Sequence, residues 1–162
     1  MNEKPTPLFL IIAAGVGTAI LSPFVVEGAP FLTLIIPFAL LAARYHGTDT
    51  GVLVGVAGSA LAGLLTNSLD GWNVIGYALA SGIAVLFYAW VNERWKGIQS
   101  LVAAALIGAW IVEIAYGIQM GGNRVLQEEW FLGTTPLSGL RILFTGILTL
   151  ILSTIGEESP TK

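Results

Sequence analysis

The chain has 162 residues, of which 55% are hydrophobic and only 10% charged, with a net charge of −3. Soluble domains carry about a quarter charged residues, and a soluble chain this small has too little interior to hide so much apolar surface. The acidic balance and the lack of a basic stripe exclude an electrostatic footprint for nucleic acid, and the absence of cysteine excludes disulfides and thiolate chemistry.

A mean hydropathy of +0.81 points to lipid as the solvent. A bilayer core of roughly 30 Å takes about 20 apolar helical residues. Six segments approach that length, at residues 8–26, 31–45, 50–69, 72–92, 98–120 and 137–155. The expected fold is therefore an all-α integral membrane protein, a single domain over residues 1–162 forming a compact bundle of six transmembrane helices.

Segment 8–26 follows Lys4, as a secretory leader would. Its length and the lack of a small-residue cleavage site predict that it is retained as a span. Segment 31–45 is short, and fifteen helical residues rise only about 22 Å. Pro30 suits its start and Pro37 predicts a kink within it.

Segment 50–69 carries Gly51, Gly55, Ser59 and Gly63 at every fourth position, a narrow face that lets another helix backbone approach closely. Gly58 and Ala62 widen it. Segment 72–92 repeats the spacing with Gly76, Ala80 and Ala84, and segment 8–26 does so with Ala13 and Gly17. Such faces serve either packing within the bundle or docking of another subunit. Asn67, Asp70, Trp72 and Asn73 cluster at the turn before the fourth segment, where Asn and Asp also serve ordinary turn chemistry.

Segment 98–120 holds Glu113 about seven residues from its outer end, roughly 10 Å deep. A carboxylate at that depth seldom faces lipid. Arg141 lies four residues into the last segment from the same side, roughly 6 Å deep. The two either pair structurally or orient a ligand. Trp110, Tyr116 and Gln119 share the outer half of the fifth segment with Glu113, and polar groups beside aromatic rings suit an organic ligand of mixed character. The connection 121–136 contains Arg124, Glu128, Glu129, Trp130 and Phe131, whose rings serve as an interfacial belt or as a lid.

Lysine and arginine set the direction. With the N-terminus cytoplasmic, Lys4, Arg44, Arg94, Lys96 and Lys162 fall inside and only Arg124 falls in an outer loop. That bias predicts both termini inside and an even number of spans. No G-x-S-x-G, H-E-x-x-H or P-loop motif is present, and the two in-membrane charges have opposite sign, so the expectation is a non-enzyme without metal or cofactor. No internal repeat is visible, which argues against an inverted-repeat transporter within one chain.

From Arg44 to Trp95 a charged turn, the glycine-ladder helix GVLVGVAGSALAGLL, the polar turn TNSLDGWN and the helix VIGYALASGIAVLFYAWV follow one another, and the chain closes on TTPLSGLRILFTGIL. This arrangement resembles the S component, the substrate-binding subunit, of energy-coupling-factor (ECF) vitamin transporters. The resemblance implies a multi-pass plasma-membrane subunit for vitamin uptake that binds a small-molecule ligand near the outer face. Glu113, Arg141, Trp110, Tyr116, Trp72, Asn73, Gln119 and Trp130 would surround that ligand. It also implies a membrane coupling subunit with two cytoplasmic ATPases, docked through small residues of the first helix, here Ala13 and Gly17, which depart from the family's alanine spacing. The size and the glycine-rich third helix also resemble the rod-shape-determining membrane protein D family. Its members are scaffolds with an acidic residue near the outer end of that helix, where Asn67 or Asp70 stands here. That resemblance implies an assembly subunit using glycine-lined faces.

Overall fold

A computed structural model describes residues 4–21, 34–66, 71–121 and 136–155. These form six helices: α1 (Pro7–Leu21), α2 (Ile35–His46), α3 (Thr48–Leu65), α4 (Gly71–Asn92), α5 (Ile98–Gly121) and α6 (Pro136–Ile155). Three stretches are long and apolar enough to cross a membrane, Thr48–Leu65, Val74–Asn92 and Ile98–Ala115; Pro7–Leu21 and Gly139–Ile155 are apolar but shorter.

The predicted kink at Pro37 does not form. Pro37 is the third residue of α2, in the first turn. The first four amides of a helix have no intrahelical acceptor, so the missing proline N–H disrupts nothing there. Pro30 lies outside the described residues.

α2 is also the centre of the bundle. It packs against α1, α3, α4, α5 and α6, while the other five follow one another around it in the order α1, α3, α4, α5, α6. Eight of its twelve residues are buried, Ile35, Ile36, Pro37 and Ala39 to Ala43 among them. At 1.5 Å per residue it spans about 18 Å. A helix enclosed by protein has no need to match the bilayer.

Local chemistry fixes the turns. Gly47, at φ 100°, ends α2 and begins α3, and its N–H donates to the Ala43 carbonyl at 3.0 Å. Only glycine enters that backbone region without strain, and it is the usual helix terminator. The Thr50 hydroxyl donates to the His46 carbonyl at 3.3 Å across this corner. His46 Nε2 donates to the Pro5 carbonyl and ties the start of the chain to the same end of the bundle. A carbonyl can only accept, so Nε2 carries the hydrogen.

The interior is built from small and hydroxyl side chains. Ala14, Ala39, Ala62, Ala80, Ala84, Ala104 and Ala105 are buried together with Ser59, Ser81, Thr145 and Thr149. The hydroxyls bond to carbonyls of their own helix: Ser59 to Gly55 at 2.7 Å, Ser81 to Ala78 at 3.0 Å and Thr149 to Thr145 at 2.8 Å. Leu10, Ile35, Ile36, Leu40 and Leu101 are buried among them, but many large apolar side chains point outward, including Leu53, Leu64, Leu79, Leu86, Leu143, Phe144 and Ile151. A water-soluble bundle has the opposite arrangement; this one is compatible with a helical membrane protein.

The glycine ladder of α3 shows how close the contacts are. A Cβ on Gly51 would lie 2.6 Å from the Ala43 Cβ and 2.8 Å from the Ala39 carbonyl oxygen of α2. On Gly58 it would lie 3.0 Å from the Ala14 Cβ of α1, and on Gly55 it would strike Ser81 of α4. Gly108 of α5 faces Ala84 of α4 and Ile36 of α2 in the same way. By contrast a Cβ on Gly82 of α4 would meet nothing within 4 Å. Gly51→Ala is therefore expected to lower the unfolding free energy of the detergent-purified protein by about 1–3 kcal/mol, since backbone blocks the new methyl. Gly82→Ala should leave it unchanged or raise it by up to about 1 kcal/mol through helix propensity. Thermal unfolding of the two variants beside the parent checks both signs.

Candidate functional site

The antiparallel packing of α5 and α6 brings the charges of Glu113 and Arg141 together. Gly146 of α6 lies against Leu106 and Val102 of α5, so that a Cβ there would come within 2.8 Å of Leu106. This close approach sets the register. Five residues before Gly146 on α6 and seven after Leu106 on α5, Arg141 and Glu113 stand level.

Their geometry is a fork. Arg141 Nε lies 2.8 Å from Glu113 Oε1, and Arg141 Nη2 donates to Glu113 Oε2 at 3.0 Å. The side chains are 13% and 6% exposed. One hydrogen bond through Nη2 and a close ion contact through Nε hold the guanidinium against the carboxylate. Removal of both charges from water is expensive and the attraction between them offsets that only in good geometry, so loss of one partner is the costly change.

Ile36, the second residue of α2, abuts Gly108. Glu113 is five residues further along α5, roughly 7 Å beyond that contact.

A feature that sequence reading missed extends from Arg141 in the other direction. Thr145, Thr149 and Ser153 follow it at every fourth position and are all buried. The Thr145 hydroxyl donates to the Arg141 carbonyl at 2.9 Å, Thr149 to Thr145 at 2.8 Å, and Ser153 to Leu150 at 2.8 Å. The signal was present in the spacing of hydroxyl residues along TGILTLILST. These groups give α6 a polar face toward the bundle and leave no hydroxyl of the column without a partner.

The remaining expected residues are distributed differently. Trp110, one turn before Glu113, is 40% exposed, so the ring sits on the perimeter while the carboxylate points inward. Tyr116 and Gln119 lie in the last turns of α5, and Trp72 and Asn73 in the first turn of α4, with side chains outside the described set; Trp130, Asn67 and Asp70 lie outside the described residues altogether. Gly51, Gly55 and Ser59, expected as a face for a partner, are buried against α2 and α4 of the same chain, and Gly63 against Val74 of α4. That face is filled internally because α3 lies between α1 and α4 with α2 beneath it. On α1, Gly17 abuts the Leu34 side chain and Ala13 is partly exposed.

Compared with known proteins, the chain matches no family model, no curated protein and no solved structure.

The energetics of the fork give a direct test. Glu113→Leu or Arg141→Met alone should lower stability by about 3–5 kcal/mol, because each leaves a charge buried without its partner. The double variant Glu113→Leu, Arg141→Met should recover most of that loss, since apolar residues of similar volume replace such pairs at little net cost. A double-mutant cycle by thermal or denaturant unfolding measures the coupling.

Proposed function

We propose that the chain is a six-span plasma-membrane protein with both termini cytoplasmic. In this reading the outer half of its bundle captures a small organic ligand for uptake, in the manner of a vitamin-binding S component. The observation that carries the reading is the buried Glu113–Arg141 pair between α5 and α6. Ionisable residues inside a membrane are rare and mark ligand or ion sites. A ligand with its own carboxylate can take the Arg141 fork, and one with an amino group can take Glu113, so a zwitterionic or amide-rich micronutrient exchanges with the pair rather than adding an uncompensated charge. Trp110, Tyr116, Trp72 and Trp130 would then cover its apolar part. The protein is non-catalytic, and a membrane coupling subunit with cytoplasmic ATPases would approach α1 at Ala13, whose flank is partly open.

A second reading is a membrane scaffold of the rod-shape-determining membrane protein D type. It is favoured by the closure of the fork: each carboxylate oxygen already has a guanidinium nitrogen within 3.0 Å. A scaffold needs no ligand to complete the pair.

A thermal-shift screen of the purified protein against water-soluble vitamins separates the two. A ligand at 100 times its Kd adds about 2.7 kcal/mol to the apparent stability. The capture reading expects one chemical class to raise Tm, with the effect abolished in the Glu113→Leu, Arg141→Met variant. A flat screen overturns it in favour of the scaffold.

Direction in the membrane is checked separately. The chain has no cysteine, so single cysteines at Lys4, Glu93 and Arg124 can be introduced without background. With a membrane-impermeant maleimide on intact cells, Arg124→Cys should label, and Lys4→Cys and Glu93→Cys only after lysis. The reverse pattern would invert the orientation, and labelling of Lys4→Cys and Arg124→Cys from the same side would break the six-span count.

A further inference from the structure

The corner between α4 and α5 is rigid, basic and aromatic, and it faces outward. The Arg94 and Trp95 amides both donate to the Val91 carbonyl, at 2.9 and 2.8 Å, and Gly97 turns the chain at φ 109°. Ser100 Oγ lies 2.7 Å from the Gly97 carbonyl and 3.2 Å from Asn92 Oδ1, which closes the corner onto the start of α5. The Arg94 guanidinium stands over the Trp90 ring, 4.7 Å from its centroid. Phe87 supports the same ring from one turn below, at 5.8 Å between centroids. Trp90 is 53% and Trp95 62% exposed, so both rings lie outside the bundle. Lys96 is exposed beside them, and the one acid of the corner, Glu93, is outnumbered.

Two features of this corner point at the same occupant. The first is charge complementarity. Arg94 is held on the perimeter of α4, four residues after Trp90, and not over the centre of the bundle. A guanidinium stacked on indole keeps its donors free along its edge, and beside an ammonium that edge suits a phosphate diester. The second is continuity with apolar surface. Below Trp90 the exposed side of α4 runs through Leu86, Ile83 and Leu79, with an open space at Gly82. An acyl chain lies along such a ridge; a free anion gains nothing from it.

We infer that the Trp90, Arg94, Trp95 and Lys96 corner binds the headgroup of an anionic phospholipid, with an acyl chain lying along Leu86, Ile83 and Leu79 of α4. The inference rests on the membrane reading given above. Tryptophan belongs at the headgroup level by its amphipathic ring, and basic residues beside a span attract anionic lipid.

Quenching by brominated lipids tests it. The full chain, with Trp72, Trp110 and Trp130 changed to Phe so that only Trp90 and Trp95 report, is reconstituted in phosphatidylcholine vesicles containing phosphatidylglycerol. Either lipid carries the bromine. Brominated phosphatidylglycerol should associate with the reporters roughly fivefold more strongly than brominated phosphatidylcholine, the worth of about one basic residue near the surface. Arg94→Gln with Lys96→Gln should bring the ratio close to one, and Lys96→Gln alone, at an exposed position, should lower it partway. Inorganic phosphate should leave the preference as it is in chloride of equal ionic strength.

Equal quenching by the two lipids in the parent overturns the lipid assignment and leaves the membrane reading standing. No quenching by either lipid overturns both. Loss of the preference in phosphate but not in chloride assigns the corner to a free anion and overturns the lipid assignment.

Discussion

Helix backbones reach touching distance only where the side chains between them are hydrogen or methyl, and α2 meets that condition most fully along α3. Gly51 and Gly55 of α3 lie against Ala39 and Ala43. Gly108 of α5 lies against Ile36, and Ala42 joins Leu10 of α1 and Val54 of α3. In lipid no hydrophobic gain drives helices together, because hydrocarbon tails are as apolar as leucine. Contact area has to come from close fit, and a central helix with five neighbours multiplies that area more than a ring without a hub would. The shortness of α2 follows from the same constraint: a helix wholly surrounded by protein is sized by its neighbours.

Against that closely fitted interior the Glu113–Arg141 pair stands out, among the described residues, as a place where two full charges replace methyl and hydrogen. The hydroxyl column of Thr145, Thr149 and Ser153 is the milder version of the same departure, with every group bonded to its own helix. α6 thus combines an outward face of leucine, isoleucine and phenylalanine with an inward face that becomes more polar toward Arg141. Local satisfaction of the hydroxyls lets α6 present polar atoms to α5 without demanding any from it, so the charge pair and the close approach at Gly146 supply the recognition between these two helices among the described residues.

The elements themselves were legible in the sequence because long apolar runs bounded by glycine, proline and charge have few alternatives. All six helices lie within the expected segments, to within a few residues at their described ends. The proximity of Glu113 and Arg141 was legible as well, since both lay at similar depth on consecutive helices. The role of α2 was not. Length and proline content made 31–45 look like a marginal span, and periodicity says how apolar a face is without saying whether lipid or protein covers it. The same gap explains Trp110, which shares a turn with Glu113 but faces the perimeter, a rotation that residue spacing leaves open. Small-residue faces are ambiguous for an equally physical reason: glycine permits close approach by any backbone, and only the folded chain shows that α2 and α4 fill the places of Gly51 and Gly55.

The separation of 28 residues between Glu113 and Arg141 has a bearing on biogenesis. A chain elongated at about 5–20 residues per second delivers the arginine on the order of seconds after the glutamate. Over that interval, in the membrane reading proposed above, α5 carries its acidic side chain before Arg141 exists to meet it. The pair closes only when α6 arrives, so the later helix is the one that commits its predecessor. The hub needs no such rendezvous: Ile35, Ile36, Leu40 and Leu41 are as comfortable among acyl chains as among helices, and can wait there while the ring is still being made.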